Sequence, residues 1–453
     1  MLVTGVGLVT PLGNSADVTW NRLLAGDKAG RILTTSDIDH YEQLVRIEGL
    51  RLHGAPVNSA GLRQSLIESK LLTNLPPNVI DTWLSEPLVA MSLVAFIEAV
   101  AQAGLADTFA SRREAIATRT AVVFGSSKGG LRTIERLAEL MRSGDADDQQ
   151  SAPLTTEFDL LWQHAFATDS ATRAIAAISG ATAGVSCPVA ACATGLISVL
   201  QGAAMIRSGL CDVCIVGSAD AGLRASVMSS FHRLRVTSRH ADPANACRPF
   251  DVDRDGFLIG EGAGVLILES RRHAESRGVP GIARVHGGLW LSDPTGMTQI
   301  DQSGSIVAEV LQRSFRKHGF LPDVISVHGT GTEANDLAEA RGIDAALGNS
   351  TPQCFGVKGA MGHLLGAAGS VETILTILAL RDQIIPGTTN LQDQDPNCKL
   401  RLRSTSEKLP GLQRAAKLSL GFGGHVACGL FERTEPRSAE RQRMTLKEIP
   451  GSH

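Results

Sequence analysis

The chain has 453 residues, which is too long for one simple core and predicts two domains or one duplicated domain. Its 43% hydrophobic and 20% charged residues are typical of a globular protein, and a net charge of −3 gives no electrostatic case for binding nucleic acid. No apolar run reaches the roughly 18 residues of a membrane span. The segment MLVTGVGLVTPLG lacks the features of a signal peptide.

Short runs rich in Val, Ile and Ala alternate along the first part of the chain with stretches of helical periodicity. The runs predict strands at residues 120–127, 211–221 and 262–270. The periodic stretches predict helices at residues 92–105 and 195–209, each ending near a glycine. This alternation predicts an α/β layered fold.

A charged segment at residues 270–282 ends in Pro and Gly and precedes a second β/α series. That series comprises a strand within 281–293, a helix near 305–319 and a strand at 323–329. No residue-level repeat relates the two series. We therefore divide the chain into an N-terminal half (residues 1–268), a C-terminal half (residues 269–435) and a flexible tail (residues 436–453).

Eight cysteines in a chain of this length do not form a disulfide scaffold, and their number is compatible with a reducing cytoplasm. Cys211 and Cys214 form a C-x-x-C inside a predicted strand, which would place the two side chains on opposite faces. Without a second pair or a histidine cluster, this motif predicts no metal site.

Cys192 lies in PVAACATGLISVL, where small residues precede a helical pattern. A cysteine at a helix N-terminus is expected to have a lowered pKa, which favours the nucleophilic thiolate. The alternative is an inert cysteine in an Ala/Gly-rich packing surface. From this motif alone, the two interpretations are about equal.

The segment VISVHGTGTEANDLAEA delivers His328 from a strand into a Gly/Thr loop before an acidic helix. Reactive groups of α/β folds commonly lie at such strand ends. Thr330 and Thr332 offer hydroxyls to a polar substrate, and Asp336 and Glu339 lie in the first turns of the helix. Alternatively, the segment is an N-cap loop with a satisfied histidine.

Two Gly-rich segments follow. In GVKGAMGHLLGAAGSVE, Lys358 and His363 flank a bend before a helix, either as site residues or as part of a helix-packing motif. In LSLGFGGHVACGLF, Phe422 lies among glycines, where an aromatic side chain can act as a lid. The alternative for the second segment is a plain hairpin turn between core strands.

Together and in order, these motifs and RPFDVDRDGFLIGEGAGVL resemble the β-ketoacyl-acyl-carrier-protein synthases over most of the chain. The resemblance implies an α/β thiolase fold, in which two similar βαβαβαββ halves form five layers, αβαβα. It also implies a Cys-His-His triad with a supporting lysine. By motif position, the catalytic residues are Cys192, His328, His363 and Lys358.

The resemblance also implies the remaining roles. The backbone N–H groups of Cys192 and Phe422 form an oxyanion hole, and Phe422 acts as a gate. Thr330 and Thr332 contact the pantetheine arm, while Asp336 and Glu339 support the site. The implied reaction is a decarboxylative Claisen condensation between an acyl group on Cys192 and a malonyl thioester, in fatty-acid or polyketide-like biosynthesis, without metal or cofactor.

The implied partners are an acyl carrier protein or acyl-CoA thioesters and a second subunit, in a homodimer or alternatively a heterodimer. Three differences from the family pattern bear on specificity. His425 and Val426 replace the usual Thr-Asn after GFGG, Ala190 replaces a usual Thr, and the segment LLTNLPPNVIDTWLSEPL lacks the usual basic residues for carrier docking. These differences favour the alternative of a specialised secondary-pathway synthase. A second alternative is a non-catalytic chain-length-factor-like subunit, although such subunits usually lose the nucleophile that is present here as Cys192.

Overall fold

The computed structural model describes residues 1–434 apart from 74, 112–115, 117, 118, 144–151 and 349. The flexible tail predicted at residues 436–453 lies outside the described residues. The strands are β1 (Leu2–Val9), β2 (Arg31–Ile32), β3 (His53–Gly54), β4 (Thr120–Gly125), β5 (Gly184–Ser186), β6 (Val213–Asp220), β7 (Gly262–Glu269), β8 (Ala283–Ser292), β9 (Val324–Ser326), β10 (Gln353–Phe355), β11 (Ile384–Ile385), β12 (Glu407–Lys408), β13 (Arg414–Gly421) and β14 (His425–Arg433).

The described helices connect these strands and cover the sheets. They are α1 (Ala16–Leu24), α2 (Tyr41–Leu44), α3 (Leu62–Ile67), α4 (Pro77–Ser85), α5 (Pro87–Gln102), α6 (Ala106–Ala110), α7 (Leu131–Ser143), α8 (Ala152–His164), α9 (Ser170–Ser179), α10 (Thr194–Arg207), α11 (Ala225–Arg233), α12 (Arg271–Ser276), α13 (Ser305–His318), α14 (Glu333–Leu347), α15 (Lys358–Met361) and α16 (Ala368–Asp382).

The main sheet consists of two five-stranded halves with the same topology. The N-terminal half has the order β5-β4-β6-β7-β1, and the C-terminal half has the order β10-β9-β13-β14-β8. In each half, the first two pairings are parallel and the last two are antiparallel. The halves meet where β1 pairs with β8. The equivalence that no residue-level repeat revealed is therefore present in the backbone.

Helices form three layers around these two half-sheets. Helices α5 and α9 pack on the outer face of the N-terminal half, and α13 and α14 pack on the outer face of the C-terminal half. Helices α10 and α16 lie between the halves and contact strands of both. Nearly every residue of α16 is buried, as expected for a helix enclosed on all sides. This αβαβα arrangement is the predicted thiolase fold.

The two central helices begin in contact with each other because glycines allow their backbones to approach. A Cβ atom at Gly195 would lie 2.2 Å from the nitrogen of Ser370, and one at Gly369 would lie 2.4 Å from the nitrogen of Leu196. This close crossing brings the chain segments that precede both helices to one place at the interface of the halves.

The C-x-x-C motif differs from its prediction. Strand β6 begins only at Val213, and Cys211 and Cys214 belong to the same buried cluster. The prediction that they occupy opposite faces was wrong because it extended strand geometry back through Cys211. Among the described residues, no single helix meets the length and hydropathy needed to cross a membrane. Helices α4 and α5 meet them only as a joined pair, bent by 110°.

Candidate active site

Cys192 lies in a sharp turn at the start of α10. The 3₁₀ turn Ala191–Ala193 leads directly into the helix, and Ala191 adopts a φ of +46°, in the left-handed region. Leu365 has the same conformation, with a φ of +51°, before the other central helix. These turns point the Cys192 sulfur out of the helix and into a cavity.

Burial raises the pKa of the Cys192 thiol to about 11, and the nearby charges of Lys128 and Lys358 act in the opposite direction. The predicted lowering of this pKa was therefore wrong. Desolvation of the sulfur, which protein surrounds apart from its opening to the cavity, outweighs the two ammonium groups. At neutral pH the resting nucleophile is a thiol.

His363 contacts the nucleophile directly. Its Nε2 atom lies 3.1 Å from the sulfur of Cys192, and its Nδ1 atom accepts a hydrogen bond from the backbone N–H of Leu365 at 3.3 Å. Burial and the charge of Lys358 hold the pKa of His363 well below its usual value, so the ring is neutral. Because Nδ1 is an acceptor, the single ring proton is on Nε2 and faces Cys192.

His328 adopts the same tautomer for a different reason. The ammonium of Lys358, which can only donate, lies 3.3 Å from Nδ1 of His328 and also donates to the His328 carbonyl. Burial and this ammonium lower the pKa of His328 well below its usual value. The ring centroids of His328 and His363 are 5.3 Å apart at an interplanar angle of 81°. Both neutral imidazoles therefore carry their proton on Nε2.

Buried carboxylates fix the loop that carries His328. Glu339 accepts hydrogen bonds from the backbone N–H groups of His328 at 2.5 Å and Gly329 at 2.8 Å. Asp336 accepts from the N–H groups of Thr330, Gly331 and Phe250. The hydroxyls of Thr330 and Thr332 lie 2.9 Å apart on the cavity wall. The acidic helix α14 thus supports this loop through its first turns.

Phe422 lies in the tight turn between β13 and β14, so its segment is a hairpin turn that also lines the cavity. A Cβ atom at Gly421 would lie 3.1 Å from the nitrogen of Cys192, so the turn packs against the nucleophile. The N–H of Gly423 donates to the carbonyl of Met297 at 2.7 Å, which ties the turn to a neighbouring loop. Phe422 therefore lies where it can cover the entrance.

The cavity has a volume of about 760 Å³, counted to its open mouth, and it exposes Cys192 and both histidines. Its wall combines apolar side chains with the two histidines and the two threonine hydroxyls. The lining residues are Cys192, Phe231, Val236, Phe257, Asp293, Thr298, Gln299, Ile300, His328, Thr330, Thr332, Ala334, Asn335, His363, Leu420, Gly421, Phe422, Gly424, His425 and Val426.

The structure brings every predicted site residue to this one region, and it adds residues that the sequence analysis missed. Oε1 of Glu372 on α16 lies 2.6 Å from the ammonium of Lys358. Oε2 of the same carboxylate lies 2.7 Å from the ammonium of Lys417 on β13. Lys128 contributes charge near Cys192. A lysine between the apolar residues Ala415, Ala416, Leu418 and Leu420 of β13 was the one available signal. The described part of the chain contains no cluster of three or more potential metal ligands.

Sequence comparison identifies the relatives of the chain. Residues 1–274 match the family model of the β-ketoacyl synthase N-terminal domain, and residues 282–392 match that of the C-terminal domain. The chain is 32% identical to 3-oxoacyl-[acyl-carrier-protein] synthase 2 of Mycobacterium tuberculosis, covering 96% of this chain and 97% of that protein. It is 31% identical to the Vibrio cholerae enzyme of the same name, covering 96% and 99%.

Comparison with solved structures also finds ketosynthases. A structure described as the ishigamide ketosynthase/chain length factor superposes with a TM-score of 0.80 at 26% identity, over 96% of this chain and 99% of that one. A β-ketoacyl synthase from Burkholderia phymatum gives a TM-score of 0.78 at 26% identity, with the same coverage. A type II polyketide ketosynthase in complex with its acyl-carrier protein gives 0.80 at 24% identity, covering 96% and 99%, which shows the fold alone.

The thiolase fold, together with these relatives, defines an acyltransferase of the condensing-enzyme class. The chain belongs to the β-ketoacyl synthase family, whose members perform β-keto condensations in fatty-acid or polyketide biosynthesis.

Proposed function

We propose that this chain is a decarboxylating β-ketoacyl synthase in which Cys192 carries the acyl group and His328 and His363 promote decarboxylation of a malonyl thioester. One observation carries this proposal. Nε2 of His363 lies 3.1 Å from the sulfur of Cys192, and a second neutral imidazole stands 5.3 Å from the first between ring centroids. A nucleophile and two neutral N–H donors thus face one cavity.

The first half-reaction is acyl transfer. The Cys192 sulfur attacks the thioester carbonyl, a new C–S bond forms, and the bond to the pantetheine sulfur breaks. The proton of the Cys192 thiol leaves on the released pantetheine thiol, so no other group has to store it. The backbone N–H groups of Cys192 and Phe422, brought together by the contact at Gly421, would bind the developing oxyanion.

The second half-reaction uses the two histidines. A malonyl thioester loses CO₂ as its C–C bond breaks, and the enolate oxygen accepts hydrogen bonds from the Nε2–H groups of His328 and His363. The carbanion attacks the acyl carbon on Cys192, which forms the new C–C bond and expels the thiolate. The thiolate then takes a proton from solvent, consistent with a resting pKa of about 11.

The same geometry supports a catalytic chain over the alternative of a non-catalytic chain-length-factor-like subunit, because nucleophile and donors are all in place. His425 and Val426 line the cavity beside Phe422, which supports an acyl preference of a specialised pathway.

The test is incubation with a panel of acyl-carrier and acyl-CoA thioesters, followed by intact-mass analysis and peptide mapping. We expect one acyl adduct on Cys192. An adduct mapped to another residue would refute the proposal.

We propose that an acyl carrier protein docks beside the cavity on three exposed arginines, Arg233, Arg235 and Arg239. None of them forms an ion pair with the described part of the chain. Phe231 and Val236, which line the cavity, lie within the same segment. The arginines offer an acidic carrier the positive charge that the segment before α5 lacks. The names of the relatives and the carrier complex of one structural neighbour support this partner.

Reversing these charges should weaken carrier docking without harming chemistry. In an Arg233→Glu/Arg235→Glu variant, we expect KM for a carrier-bound acyl substrate to rise roughly tenfold or more, since rim charges govern encounter and its salt dependence. Activity with the corresponding CoA thioester should stay unchanged. Arg271→Glu, at an exposed arginine of α12 that forms no ion pair with the described residues, is the matched control. Equal losses with both substrates would contradict this docking surface.

We also propose that two copies of the chain pair through the β5 edge as a homodimer. Strand β5 ends its half-sheet and pairs only with β4 among the described strands. Val185 in β5 and Val189, three residues after the strand ends, are 49% and 57% exposed. Open strand edges with exposed apolar residues pair readily with another strand, and an isologous pairing closes a dimer.

Eight free thiols support the further proposal of a cytoplasmic location.

The purified chain alone should have about twice its 47.7 kDa mass by light scattering. A Val185→Asp/Val189→Asp variant should shift to the monomer mass, because charges at the edge oppose pairing. Leu321→Asp, at an equally exposed leucine outside the edge, should leave the mass unchanged. A monomeric wild-type chain would argue against the homodimer and for a heterodimer with another subunit.

A further inference from the structure

Lys417 is a fully buried lysine on a strand of the C-terminal half-sheet. Along β13, Ala416 and Leu418 face the outer helices, whereas Ala415 faces the central layer. Strand alternation therefore points Lys417 towards the central helices. There its Nζ atom lies 2.7 Å from Oε2 of Glu372 and 3.0 Å from the carbonyl oxygen of Val327. A buried ammonium is costly unless it is paired, so these contacts explain how it is tolerated.

Lys417 donates to the carbonyls of Leu418 and Ser326, and a further contact reaches the peptide group that precedes His328. Lys417 donates to the carbonyl of Val327, and Lys358 donates to the carbonyl of His328 itself. On the other side, Glu339 accepts the N–H groups of His328 and Gly329. Charged side chains thus hold the peptide groups on both sides of His328, and Lys417 holds the one that precedes it.

Lys417 is also joined to the ammonium that sets the tautomer of His328. Glu372 binds Lys358 through Oε1 at 2.6 Å and Lys417 through Oε2 at 2.7 Å. With one carboxylate between two ammonium groups, the cluster keeps a positive charge beside Nδ1 of His328. Burial and the charge of Lys358 lower the pKa of both His328 and His363 most, and the charge of Lys417 adds a smaller effect in the same direction. Without Lys417, Glu372 would pair only with Lys358 and would neutralise the positive charge beside His328.

We propose that Lys417 is a positioning residue for His328: it holds the preceding carbonyl and shares Glu372 with Lys358, so that the imidazole keeps its place and its Nε2–H. This inference rests on the proposed role of His328 in decarboxylation. Lys417 itself does not line the cavity, and it acts on the reaction only through His328 and Lys358.

The test compares Lys417→Met with Lys417→Gln in the full-length protein. Lys417→Met removes both the charge and the donor, and we expect malonyl-thioester decarboxylation to fall at least tenfold while acylation of Cys192 stays within twofold. Lys417→Gln keeps a donor for the Val327 carbonyl and should lose less. Ser419→Ala removes a buried hydroxyl two residues along the strand, without a hydrogen-bond partner among the described residues, and is the matched control.

The pH profile separates a positioning role from a merely structural one. The titratable groups around the two rings are Lys358, Lys417, Glu372, Glu339 and, near His363, Lys128 and Cys192. Burial raises the pKa of Glu339 to about 7. Loss of the Lys417 charge should raise both histidine pKa values, so the acid limb of the decarboxylation profile should move to higher pH in both variants.

Equal losses of acylation and decarboxylation with an unmoved acid limb would overturn the proposal, as would unchanged decarboxylation in Lys417→Met. If Lys417→Met fails to fold, the acid limb of Lys417→Gln alone decides between the two roles. A wild-type protein that neither acylates Cys192 nor decarboxylates malonyl thioesters would instead refute the proposed function, and the two failures are thereby distinguished.

Discussion

Cys192→Ala should lower condensation by about 10⁴-fold or more, because loss of a nucleophile removes the covalent route altogether. Decarboxylation of a malonyl thioester should persist, since the Nε2–H groups of His328 and His363 that would bind its enolate are independent of the sulfur. Intact-mass analysis should show no acyl adduct, and release of CO₂ measured without an acyl donor should continue.

Cys192→Ser tests how the nucleophile is activated. A serine hydroxyl needs a general base, whereas the Nδ1 atom of His363 already accepts the Leu365 N–H and its Nε2 atom carries the proton. The serine variant should therefore be nearly as inactive as the alanine variant. Cys187→Ala, at the other partly exposed cysteine, is the control and should retain activity. Substantial activity in Cys192→Ser would show that His363 acts as a base.

Periodicity in the sequence predicts five of the ten strands of the two half-sheets, and the elements that it predicts differ from the structure mainly at their ends. The predicted helix 92–105 begins earlier, at Pro87, because Glu86 caps it and accepts the N–H of Leu88. Proline at the first helical position is a favourable start, but without the cap it indicates only a turn. The helix ends at Gln102, close to the predicted Gly104, which has a left-handed φ of +65°.

The duplication of the fold could not be predicted from residue identity, because the two halves share backbone conformations and close backbone contacts rather than residue types. Ala191 and Leu365 share a left-handed conformation, and Gly195 and Gly369 share a close helix contact. Cys192 follows Ala191 in one half, and Gly366 follows Leu365 at the equivalent position of the other half. The two turns conserve a shape while only one carries the nucleophile, so no residue-level repeat remains.

Motif order predicts which side chains form the site, but not their protonation. The expected thiolate at Cys192 depended on the helix N-terminus, whereas burial, which local sequence does not reveal, raises the pKa of this thiol. Glu372 and Lys417 come from different elements and meet only in the fold. Long-range charge pairs of this kind escape analysis by motif, because their partners have no fixed spacing.

His328→Ala should lower malonyl decarboxylation by about 10²- to 10³-fold, the usual cost of removing one oxyanion donor. Acylation of Cys192 should be nearly unaffected, since His328 does not contact the sulfur and the proposed oxyanion hole of that step is backbone. His328→Asn keeps a side-chain N–H and should lose less. His318→Ala on α13, in the outer layer, is the control.

The double variant His328→Ala/His363→Ala decides whether the two imidazoles act as one unit. If both bind the same enolate oxygen, either single loss disrupts most of its stabilisation, and the double variant should be only slightly slower than the worse single variant. Independent roles would instead give multiplied losses. Single-turnover decarboxylation, measured beside intact-mass acylation, separates these outcomes, and losses that multiply would contradict a shared oxyanion site between rings whose centroids are 5.3 Å apart.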